Sequence, residues 1–226
     1  MTVLAPSIDA SPRIRILLVL LSLVAGSADV IGFLGLGGLF VAHITGNLII
    51  LAAHLVTGTR VGVGSVLSVP VFMSALVVTR LLVAALEAAG RASLRPLLVL
   101  QFVFLAGLLI LGVIAGPHVD PNAATAVLAG MLGVSAFAVQ NALVQMSIGG
   151  APSTAVMTTN LTRLTMDLGE LLLANGSKAV STARRRLVNT WPSILAFTVG
   201  AGSGAALTEF NRSKQHRPLG PRVDAR

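Results

Sequence analysis

The sequence has no cysteine, no tyrosine and a single tryptophan, and only 11% of its residues are charged, against roughly a quarter in a soluble domain. Without cysteine, disulfides, thiol catalysis and cysteine-ligated metals are excluded. The four histidines, His43, His54, His118 and His216, are too scattered to suggest a zinc site. Aromatic residues make up 4%, too few for a platform that stacks bases, so the net charge of +8 does not point to nucleic acid. The Lys and Arg residues fall between apolar blocks and in the C-terminal tail, where they suit topogenic loops and anionic lipid. HExxH, GxSxG and phosphate-cradling glycine motifs are also missing, so neither an enzyme nor a cofactor is expected.

What is present is apolar: 54% of 226 residues, gathered in blocks long enough to cross a bilayer, where about 20 helical residues are needed. The composition predicts an all-α fold, a polytopic transmembrane bundle of six to seven spans, with the lipid bilayer as its first partner. Residues 1–12 form a disordered tail, 13–209 the integral domain and 210–226 a basic tail. Arg13, Arg15, the run from Ile16 to Leu23 and the small residues Ala25 to Ala28 imitate a signal peptide, but apolar character continues to Val41, which favours an uncleaved first helix. The expected spans are 13–34, 39–56, 66–89, 97–115, 123–148, 153–174 and 191–207. A basic loop, Lys178 to Arg186, precedes the last of them. Gly200 and Gly204 on that span form a GxxxG that allows a second helix, or a second copy of the chain, to approach closely.

The stretch from Ala25 to His54 is almost wholly apolar yet carries Asp29, His43, Thr45, Asn47 and His54. Such groups are expensive in hydrocarbon, so each needs a partner or a function. Displacing the chain on itself by 113 residues aligns Ile44 to Leu55 with Met157 to Leu168. Thr45, Asn47, Leu48, Leu51 and Leu55 then meet Thr158, Asn160, Leu161, Leu164 and Leu168, five identities in twelve. With one inserted residue, Gly37-Gly38 meets Gly149-Gly150 and Asp29 meets Asn141. Two parallel three-helix repeats, 13–89 and 122–209, joined by a linker helix at 95–116, follow from this pattern. The same layout occurs in SWEET sugar transporters, an analogy of architecture alone. Loop charges tie between the two sides, so the positive-inside rule assigns no orientation. A six-span arrangement with one re-entrant hairpin is the alternative.

A substrate site is expected where the two motifs meet, with Asp29, Thr45, Asn47, Gln140, Asn141, Thr158 and Asn160 as binding residues. Asp29, His54 and Asp167 are the candidates for coupling to a proton or ion, because a carboxylate at membrane depth should hold its proton more tightly than one in water. The partner implied is a small-molecule solute. Arg163 and Asp167, spaced i and i+4, should neutralise each other on their own helix. A non-transporting protein that packs through its glycine-rich helices is the competing reading.

The segment from Gly26 through Gly37-Gly38 to Ala42-His-Ile-Thr-Gly-Asn47, with Gln140-Asn141-Ala142 and Thr158-Thr159-Asn160 in the second half, resembles the YoaK family of bacterial proteins over about Arg13 to Leu207. The resemblance implies a multi-pass protein of the inner membrane. It supplies no substrate or reaction.

Overall fold

The computed structural model describes residues 11–116, 119–148, 151–173 and 177–215. The predicted Gly149-Gly150 turn, His118, His216 and the greater part of both tails lie outside the described residues. Within them the chain forms seven helices and no strand: α1 (Pro12–Gly35), α2 (Ile44–Thr57), α3 (Val63–Ala88), α4 (Leu94–Ala115), α5 (Ala124–Ser147), α6 (Met157–Leu173) and α7 (Ser177–Gln215). Four of them, α1, α3, α4 and α5, are long and apolar enough to cross a membrane.

Burial divides these four. The apolar stretch of α5 is 67% buried, whereas that of α3 and of α4 is only 11% buried. α5 is rich in Ala and Gly, so its neighbours approach its backbone closely, and α1, α3 and α4 all pack against it. α3 and α4 turn Val77, Leu81, Phe102, Leu109 and Val113 outward. In water such a surface would drive aggregation; against lipid tails it costs nothing.

The last helix corrects the expected loop. The basic stretch Lys178 to Arg186 is the first part of α7, which runs unbroken through Pro192 to Gln215. At about 1.5 Å per residue this 39-residue helix is about 58 Å long, well beyond the roughly 30 Å hydrocarbon core. Its second half lies against α1 with almost no side chain between them. A Cβ on Gly26 would stand 2.1 Å from the Phe197 carbonyl oxygen, and one on Gly200 would stand 2.1 Å from that of Leu23. Ser27 Oγ adds a hydrogen bond to the Gly200 carbonyl at 2.9 Å. The predicted GxxxG face is therefore occupied inside the chain, and a second copy would need another surface.

The second and sixth spans are not continuous helices. α1 ends at Gly35, and Gly37 and Gly38 turn the chain with φ of +66° and +85°, a backbone that residues with a Cβ rarely adopt. Residues 39–43, non-helical, then return along the last turns of α1. The Leu39 carbonyl and the Val41 side chain meet Gly32, and the Ala42 and His43 amides reach Asp29. Leu39 and Val41 fill the space left by Gly130 and Gly133 on α5. Only at Ile44 does α2 begin. The second half repeats the form, with α5 ending at Ser147 and α6 beginning at Met157 after non-helical residues 151–156.

Candidate functional site

Non-helical backbone packed in a bundle presents N–H and C=O groups that no helix satisfies, and each must find a partner. Asp29, Asn47 and Asn160 supply the partners. Asn47, 0% exposed, accepts from the Phe40 N–H at 2.9 Å and donates to the Phe40 carbonyl at 2.7 Å. Asn160, also 0% exposed, makes the same pair with Ser153, accepting its N–H at 3.1 Å and donating to its carbonyl at 2.5 Å. Each amide reaches back seven residues. Asp29, 3% exposed, uses Oδ1 to accept the N–H groups of Ala42 (2.7 Å) and His43 (3.3 Å). Its Oδ2 lies 2.5 Å from His43 Nδ1, whose ring edges against Phe197 of α7.

The other expected site residues separate into three groups. Gln140, fully buried, links the core: it accepts from Gln101 Nε2 at 2.6 Å and donates to Thr154 Oγ1 at 2.8 Å and to the Leu21 carbonyl at 3.2 Å. Thr45 and Thr158 are exposed, so the repeat-equivalent threonines contribute nothing to an internal site. His54 bonds the Arg60 carbonyl at the end of α2, and Asp167 bonds Arg186, so these two do not form an acid and base pair.

Asp167 also departs from its expected i, i+4 partner. Arg186 on α7 donates to Asp167 Oδ1 at 2.7 Å and to Glu170 Oε2 at 2.5 Å, clamping α6 to α7. The Asp167 hydrogen bond raises the Arg186 pKa above its already high ordinary value; burial opposes this, and the charges of Asp167 and Glu170 add to it. Removing that cation strands the buried Asp167 carboxylate. Arg186→Gln should lower stability by about 2 kcal/mol, since breaking a fully buried pair costs about 3–5 and Arg186 is partly exposed. Adding Asp167→Asn should restore much of the loss; equal thermal midpoints for Arg186→Gln and the unaltered protein would refute the clamp.

Arg163 is left without an acidic partner among the described residues, and it lines a cavity of about 510 Å³. The other walls are Asn141, Val144 and Gln145 on α5, Ala151, Ser153, Thr154 and Val156 on the non-helical segment, and Thr159 on α6. No acidic side chain lines it. Asn141 ties its Nδ2 to its own helix, at the Phe137 carbonyl. Among the described residues, no group of three His, Cys, Asp or Glu side chains is placed to hold a metal.

Two residues escaped the sequence reading. Gln101 is the lone polar side chain in an otherwise apolar span, a signal visible in the sequence. Its Oε1 is the single buried side-chain oxygen or nitrogen among the described residues that lacks a hydrogen-bond partner. Arg186 was submerged in a basic run, and only the acidic stripe of Asp167 and Glu170 on α6 pointed to it.

Membrane-length helices around a central small-residue helix, with two interrupted segments held by buried amides, define a helical class suited to a bilayer. The chain belongs to DUF1275, a family described as protein of unknown function, whose pattern it matches over residues 17–217. No curated protein and no solved structure matches it.

Proposed function

We propose that the chain is a multi-pass inner-membrane protein of the YoaK kind, built as two parallel repeats, and that it carries a small solute through a polar site beside the second interrupted segment. The repeat reading is supported by the matching amide clips of Asn47 and Asn160. It is also supported by reciprocal packing: α1 lies on α7 and α5 on α3, while α2 and α6 each pack on the helix that follows. Interrupted segments of this kind carry substrate sites in transporters, because backbone freed from helical bonding is tolerated at depth where it lines a cavity.

The observation that carries the transport reading is the cavity beside α6. Its volume falls within the range of small-molecule sites, roughly 300–1,000 Å³, and it is lined by Asn141 and, on its exposed side, by Gln145, Thr159 and Arg163. Asp29, Asn47 and Asn160 hold the interrupted segments and do not line it, since their hydrogen bonds are made to the protein's own backbone. That same observation favours a second reading, a non-transporting membrane protein whose polar residues serve packing.

Flux across proteoliposome membranes separates the two. A panel of small neutral, cationic and anionic solutes should show protein-dependent movement of at least one, and the double variant Asn141→Leu, Gln145→Leu should cut it by about tenfold, the loss of about 1.4 kcal/mol of recognition. A panel with no protein-dependent flux would sink the transport reading in favour of the packing one.

A further inference from the structure

Arg163 and the first interrupted segment together indicate what the cavity accepts. In the first half a carboxylate, that of Asp29, lies against the N–H groups of Ala42 and His43 just ahead of α2. At the 113-residue displacement, Ala42 and His43 correspond to Ala155 and Val156, just ahead of α6. With the one inserted residue, Asp29 corresponds to Asn141, which is neutral and bonded to its own helix. The second half thus has no carboxylate of its own at this place; the Val156 N–H is taken by Ser153 Oγ at 2.9 Å, which leaves the Ala155 N–H. The Ala155 N–H, at a fully buried residue between the cavity-lining Thr154 and Val156, has no acceptor among the described residues. The wall also carries the guanidinium of Arg163, while Asp167, the nearest acid along its helix, is bound to Arg186.

We propose that this cavity binds an oxyanion, a carboxylate or phosphate group, held by Arg163 beside the unpaired Ala155 N–H. The inference rests on the transport reading for its biological meaning, but the binding site stands on the geometry alone. Arg163 supplies the charge and a forked set of donors suited to two oxygens. Asn141, Gln145 and Thr159 surround the rest of the molecule. The dipole of α6, whose N-terminal end starts at the cavity, adds a favourable field. The Gln101, Gln140 and Thr154 chain reaches the same wall from the core and holds Thr154 in place. Free anions and anionic lipid headgroups share this chemistry.

The test uses the full chain in phosphatidylcholine nanodiscs, with acetate and inorganic phosphate as probes and tetramethylammonium and glycerol as comparisons. Saturable binding of acetate or phosphate is expected. Arg163→Gln should weaken it by about tenfold or more, Arg163→Lys less, and Arg80→Gln, which removes an arginine paired with Glu87 on α3, should leave it unchanged. Thr159→Val gives a second, uncharged perturbation of the same wall and should weaken binding if Arg163→Gln fails to fold. Repeating the titration with phosphatidylglycerol in the disc separates the sources: displacement of bound phosphate that depends on Arg163 assigns the site to a headgroup, and undisturbed binding assigns it to a free solute. Equal binding by Arg163→Gln, or preference for the cation or the neutral probe, overturns the proposal. Flux of neutral solutes that ignores Arg163→Gln would overturn it while leaving transport intact. Arg163-dependent binding without any flux would uphold it and remove transport.

Discussion

Gly200→Ala should destabilise the protein by about 3 kcal/mol or more, at the upper end of overpacking costs, while Gly202→Ala, two residues along the same helix, should be neutral or slightly stabilising. The two substitutions add the same methyl group. At Gly200 it would sit 2.1 Å from the Leu23 carbonyl oxygen, which is backbone and has no side-chain rotation to relieve the overlap; at Gly202 nothing lies within 4 Å. α1 and α7 must therefore separate, losing the Ser27 to Gly200 hydrogen bond and the contacts on either side. Gly202 instead gains the helix propensity of Ala over Gly, up to about 1 kcal/mol. Thermal unfolding in detergent, or titration with a denaturing detergent, reads the difference. Equal midpoints for the two variants would show that α1 and α7 do not meet through their backbones.

Asn47→Ala and Asn160→Ala should each cost roughly 2–6 kcal/mol, because each strands one buried backbone donor and one buried acceptor at about 1–3 kcal/mol apiece. The loss should come from the backbone and not from the cavity left behind. Asn47→Leu, which restores most of the volume, should then be no better than Asn47→Ala. Asn47→Asp should also fail, since a carboxylate can accept from the Phe40 N–H yet faces the Phe40 carbonyl without a proton to donate. The measurement is the fraction of monodisperse protein after extraction together with its thermal midpoint. A stable Asn47→Leu would mean that the amide is not holding the non-helical segment.

The helices were largely legible in the sequence because their apolar runs are long and bounded by glycine, proline or charge. The ends of α1, α4 and α5 fall within about three residues of the expected spans. Asn47 and Asn160 were also singled out in the sequence, where the internal match falls on polar positions that composition bias does not favour, and both amides bond backbone seven residues back. Their bonding was not. An amide at depth looks the same in sequence whether it serves a solute or the backbone seven residues away. Thr45 and Thr158 carried the same internal match and yet face outward, so the match located the segments and not the lining of a site.

The break between the spans 13–34 and 39–56 was legible, but the non-helical stretch 39–43 beyond it was hidden because Leu39, Val41 and Ala42 are apolar and satisfy a helical pattern as well. What sets them apart is tertiary, the glycines of α5 that admit Leu39 and Val41 and the Asp29 carboxylate that accepts the Ala42 amide. The α7 error had a different origin. Ala183 and the arginines around it are good helix formers, but clustered charge after an apolar block has the pattern of a loop. The pairing of Arg186 with Asp167 and Glu170 across two helices depends on a fold that no local pattern encodes.

The embrace of α1 by α7 also constrains the protein's birth. Ser27 and Gly200 are 173 residues apart, so at about 5–20 residues per second a ribosome needs roughly ten to thirty-five seconds to supply the partner of the first helix. Through that interval the bare ridge of Leu23, Gly26 and Ser27 must be shielded by lipid, by an insertion factor or by a provisional neighbour. The helix that completes α1 is thus made long after it, and truncation just before Gly200 should yield a chain that is cleared by proteases.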